Sequence, residues 1–117
     1  MDKISFEHQF TVEGYLTFSV RVISGDFSGS ANFCISEIAL KEVISALSEV
    51  YNCLKGTCQM NDYDSDDFNL FETEKLGHII VTGQIGGSHR RQYLNYQFIT
   101  EQTVLAEIIS DFKNMLS

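Results

Sequence analysis

The segment Tyr15-Leu16-Thr17-Phe18-Ser19-Val20-Arg21-Val22-Ile23-Ser24 decides the fold class. Leu16, Phe18, Val20 and Val22 fall on one face and Thr17, Ser19 and Arg21 on the other, the period-two alternation of a strand with one buried face. Toward the C-terminus, Ser24-Gly25-Asp26 reads as a turn. Phe27, Ala31, Phe33 and Ile35 then share one face of a second strand that pairs antiparallel with the first. Toward the N-terminus, Ile4, Phe6, His8 and Phe10 form a further alternating strand ending near Glu13-Gly14. Consecutive strands joined by short turns imply an antiparallel sheet with one face on the core.

Beyond this region the apolar period changes. Ser36 is placed to cap a helix over residues 36–54, in which Ile38, Leu40, Val43, Ile44, Leu47, Val50, Tyr51 and Leu54 form a stripe and Gly56 supplies the stop. Glu37, Glu42 and Glu49 lie largely outside the stripe and read as a solvated acidic face. Phe68, Leu70 and Phe71 suggest a short strand, and residues 77–85 and 92–99 read as a hairpin around Gly86-Gly87-Ser88. Thr100 then opens a second helix to residue 115, with Val104, Leu105, Ile108, Ile109, Phe112, Met115 and Leu116 on one stripe. The expected architecture is a single α+β domain over residues 1–117. It has two layers: an antiparallel sheet of about six strands with two helices on one face, in the order βββαβββα.

Composition narrows the function. The 117 residues are 44% hydrophobic and 12% aromatic, which is incompatible with a disordered acidic tail. Sixteen acids against eight Lys and Arg give a net charge of −8, favouring a basic partner over nucleic acid or an anionic membrane. No apolar run reaches the ~18 residues of a membrane helix. The opening Met1-Asp2-Lys3-Ile4 has no basic segment followed by an apolar stretch, so a cytoplasmic location is expected. Cys34, Cys53 and Cys58 are odd in number, and the last two do not have Cys-x-x-Cys spacing; thiols packed as small hydrophobes are expected. There is no Pro, so turns rely on Gly, Asn, Asp and Ser.

The most distinctive stretch is residues 59–74, where Asp62, Asp64, Asp66, Asp67, Glu72 and Glu74 occur without one Lys or Arg. Asp62, Asp64 and Asp66 imitate the first three ligand positions of an EF-hand loop. Asp67 then stands where that loop needs Gly and Thr73 where it needs a bidentate Glu, so no metal or other cofactor is expected. Carboxylates so close repel one another unless water, cations or a basic partner relieve them, which makes these six the candidate partner-binding residues. His8, His78 and His89 sit in no nucleophile motif, and Gly83-Gln84-Ile85-Gly86-Gly87 lacks the ending of a phosphate loop and reads as a hairpin turn. His89-Arg90-Arg91 is the single basic cluster and reads as a solvated turn. Tyr93 and Tyr96 fall on opposite faces of their strand, which exposes one of them.

The strand Gly14-Tyr15-Leu16-Thr17-Phe18-Ser19-Val20, the Asp26-Phe27-Ser28-Gly29 turn, the first helix, the acidic loop with Phe68-Asn69-Leu70, and Gly77-His78-Ile79-Ile80-Val81-Thr82-Gly83 together resemble small immunity proteins of the WapI-like group and related uncharacterised domains. The resemblance covers most of the chain and rests on spacing, Gly and apolar positions. It implies a non-enzymatic protein that binds and blocks the toxic C-terminal domain, often a nuclease, of a polymorphic or contact-dependent bacterial toxin. It transfers no individual contact residue. The competing expectations are a small ligand-binding domain or enzyme subunit built on His78 and nearby carboxylates, marked by a concave pocket, and an oligomer-forming subunit marked by a large apolar patch.

Overall fold

The computed structural model describes residues 2–87 and 91–117. The elements run β1 (Lys3–Val12), β2 (Tyr15–Ser24), β3 (Phe27–Ser36), α1 (Glu37–Cys53), β4 (Thr57–Asn61), β5 (Phe68–Thr73), β6 (Ile79–Ile85), β7 (Leu94–Thr100) and α2 (Gln102–Met115). Glu13 and Gly14 take φ of 51° and 81°, the left-handed values a two-residue hairpin turn requires, and Val12 therefore pairs directly with Tyr15. The alternation read in β2 is complete: Leu16, Phe18, Val20 and Val22 are all 0% exposed.

The α+β class and the order of the elements stand as expected, but the expected single sheet of about six strands is corrected. Three strands form one antiparallel sheet, β1-β2-β3, and four form another, β4-β5-β6-β7. The added strand is β4, whose inward set is only Cys58 and Met60, too short a pattern to separate from a loop. β3 and β4 do not pair, so the two sheets stay separate. At Cys34 of β3 the outward backbone groups are bonded to a loop, not a strand: Cys34 N–H donates to Asp62 Oδ1 at 2.8 Å and Tyr63 N–H donates to Cys34 O at 2.9 Å.

Inward side chains of both sheets and both helices form one buried cluster. Phe112 of α2 stands edge-on to Phe6 at 4.8 Å between ring centroids, and Phe18 lies 6.1 Å from the same ring. In α1 the Ser36 hydroxyl accepts from Ala39 N–H at 3.1 Å, as its capping role predicts. The helix stops before Gly56, because Leu54 takes φ of 54° and donates its amide to Val50 O. In the second sheet Tyr96 is buried and donates to Asn69 Oδ1 at 2.6 Å, and burial first, then the charge of Asp67, pushes its phenol up. Gly83 lies beneath that ring: a Cβ there would come within 2.5 Å of Phe68 O as well as striking the Tyr96 side chain. Tyr93, by contrast, is exposed and precedes β7.

Candidate functional site

Residues 62–67 join β4 to β5, and their acidity is divided between internal bonding and solvent. Asp62 closes the turn through its amide, which donates to Asp67 O at 2.9 Å. One of its carboxylate oxygens holds Cys34 N–H, and the other accepts from Ser65 Oγ at 2.6 Å. Asp67 is 4% exposed, and its carboxylate accepts from Gly86 N–H at 2.9 Å, Gly87 N–H at 2.7 Å and Gln84 Nε2 at 3.2 Å. Gly86 and Gly87 have φ of 99° and 76°, and two successive left-handed residues turn their amides toward one anion. The Gly-rich segment read as a hairpin turn is thus also the cradle of a buried aspartate.

Asp64 and Asp66 are exposed, the latter accepting from Gln84 Nε2 at 3.2 Å. Asp64 acts on its surroundings: burial first, and its negative charge next, push the Cys34 thiol up from its ordinary value of 9.0. Asp62, Asp64 and Asp67 line a cleft of about 880 Å³ with Asn32, Gly87 and Arg91. His89 and Arg90 lie outside the described residues. Glu72 and Glu74 are elsewhere. Glu72 is half-buried on β5 and Glu74 follows that strand, so at about 3.3 Å per residue they lie roughly 17 and 23 Å along the chain from Asp67. Glu74 accepts from Leu76 N–H at 3.2 Å and lies 3.1 Å from His78 Nδ1; His78 Nε2 is 3.9 Å from Glu101. Asp67 is thus buried, while Glu72 and Glu74 lie on and after β5, outside the loop. Among the described residues no group of three or more His, Cys, Asp or Glu side chains is placed to hold a metal ion.

The loop also carries a residue that the sequence reading passed over. Tyr63, 70% exposed, lies against Tyr15 with ring centroids 5.3 Å apart. Tyr15 points to the outer face of the first sheet, opposite Leu16, and its cross-strand partner there is Val12. Phe10 reaches the same face through a bulge. Ile4, Phe6 and His8 pair with the inward residues Val22, Val20 and Phe18, but the register shifts between His8 and Phe10, and Phe10 then pairs with Thr17. The expectation that Phe10 continues the buried face is therefore corrected: it is 53% exposed and Val12 is 56% exposed. An apolar residue inside an acidic run was the available signal for Tyr63; a bulge leaves no such mark.

The sequence profile of the Immunity protein WapI-like family matches residues 4–117, nearly the whole chain, and the chain belongs to that family. No curated protein and no solved structure is significantly similar to it.

Proposed function

We propose that this member of the Immunity protein WapI-like family neutralises a bacterial toxin by binding its toxic C-terminal domain in the cytoplasm, without chemistry of its own. The observation that carries this reading is the family match over residues 4–117. The charge of −8 supports a basic target, such as a nuclease domain whose cleft must attract an anionic substrate. Among the six acidic candidates, Asp64 and Asp66 are the solvent-facing pair of the loop, and they attract the target over a distance. Asp62 and Asp67 hold the loop in the shape that presents them.

The test is co-expression with the toxin domain encoded beside the chain, together with binding kinetics for the purified pair at two ionic strengths. Protection of the cells and a complex whose association slows as salt rises are expected, since exposed charges are screened over about 10 Å at 0.1 M. Toxicity undiminished by the chain, with no complex formed, refutes the proposal.

A further inference from the structure

We propose that the toxin docks on the outer face of the first sheet, with Phe10, Val12, Tyr15 and Tyr63 as its apolar anchors and a cationic segment of the toxin as their occupant. This rests on the immunity reading above and locates its interface. Four large apolar side chains are exposed here at 53, 56, 39 and 70%. They come from two parts of the chain: the β1–β2 hairpin brings three, and the acidic loop delivers the fourth. The arrangement is held in advance. The register shift in β1 turns Phe10 outward, the Tyr63 N–H is hydrogen-bonded to Cys34 O, and Asp62 pins the adjoining Cys34 amide, so little conformational freedom remains to be lost on binding.

Charge selects the occupant. Glu13 lies in the turn between β1 and β2, while Asp62 and Asp64 adjoin Cys34, whose raised thiol registers Asp64. Lys3 and Arg21, the basic residues on the outward rows of β1 and β2, stand at the opposite end, where Lys3 pairs with Ile23 and Arg21 with Ser5. An apolar patch with an acidic rim suits a partner presenting Lys or Arg beside an apolar side chain. The two tyrosine rings offer such a cation a face to stack on. A second copy of the chain, joined patch to patch, would oppose acidic rim to acidic rim.

The experiment measures equilibrium affinity and dissociation rate for the toxin domain encoded beside the chain, using the unaltered protein, a Phe10→Ser/Tyr15→Ser/Tyr63→Ser variant and the single variant Tyr63→Lys. Circular dichroism and thermal melts establish that each is folded. Tyr63→Lys keeps the backbone bond to Cys34, so it reports even if the triple variant does not fold. A loss of at least ~30-fold in affinity for either folded variant, carried mainly by faster dissociation, is the expected result. Lys3→Ala on the same face should change affinity by less than ~3-fold. If the unaltered chain binds and the folded variants bind equally well, the docking face is wrong and the immunity reading stands. If the unaltered chain does not bind at all, both fall. Sedimentation of the chain alone adds one outcome: a dimer that Tyr63→Lys dissociates would assign the face to self-association and overturn the proposal.

Discussion

Asp64 and Asp67 stand three residues apart in one loop, yet they do opposite things. Asp67 is buried against two glycine amides and a glutamine, whereas Asp64 is exposed and acts outward on Cys34 and the solvent. The difference shows that charge density along a sequence does not measure charge density on a surface. A carboxylate is withdrawn from the surface when unpaired backbone amides converge on it from elsewhere in the fold.

The largest effect that would break this comparison is at Asp67. Asp67→Ala leaves the Gly86 and Gly87 amides without their acceptor, and a loss of roughly 3 kcal/mol in urea unfolding is expected from hydrogen bonds to a charged group. A loss below ~0.5 kcal/mol would mean that Asp67 belongs with the solvent-facing pair. Asp62 is intermediate, since one of its bonds is to a backbone amide and the other to an exchangeable hydroxyl. Asp62→Ala should cost about 1–2 kcal/mol by the same measurement.

At the other pole, Asp64→Asn should alter stability by less than ~0.5 kcal/mol, as surface changes generally do. Its signature is electrostatic. Removing the negative charge lowers the Cys34 thiol toward its ordinary value, so more thiolate is present at a given pH. Reaction of Cys34 with a thiol reagent at pH 8 should then quicken, while the exposed Cys53 in the same molecule is unchanged. An unaltered Cys34 rate would show that Asp64 does not act at that site. Cys58 gives the limiting case: burial raises its thiol to about 11, so it should resist the reagent until the chain unfolds. Because the folded state keeps this proton while the unfolded chain releases it, the contribution to stability is intact below pH 9.0. It declines as pH rises through about 11, and a Cys58→Ala variant should show a shallower alkaline decline.

What the sequence disclosed follows from how local each signal is. The alternation in β2 and the stripe of α2 are properties of consecutive residues, and both were legible; Leu105, Ile108, Ile109, Phe112 and Met115 are all buried. The division into two sheets depends on whether β3 meets β4, a contact between distant segments that no window contains. Phe10 failed because one extra residue in a strand reverses every face after it. The candidate site was legible as a composition and illegible as a geometry. The run of acids was plain, but separating Asp67 from Asp64 required knowing that Gly86 and Gly87 fold back onto it. The adjacent glycines were the one clue.

The two bonds that Cys34 makes to the loop also bear on how the molecule coexists with its own copies. A strand at the border of a sheet offers a ladder of unpaired amides and carbonyls that another chain can extend, the usual beginning of aggregation. At β3 the loop seals that ladder at Cys34, and the neighbouring positions Asn32, Ser30 and Ser28 are exposed and polar. The same Asp62 that shapes the acidic surface is thus a guard against templated strand addition. A chain lacking it should lose solubility on heating sooner than its reduced stability alone would require.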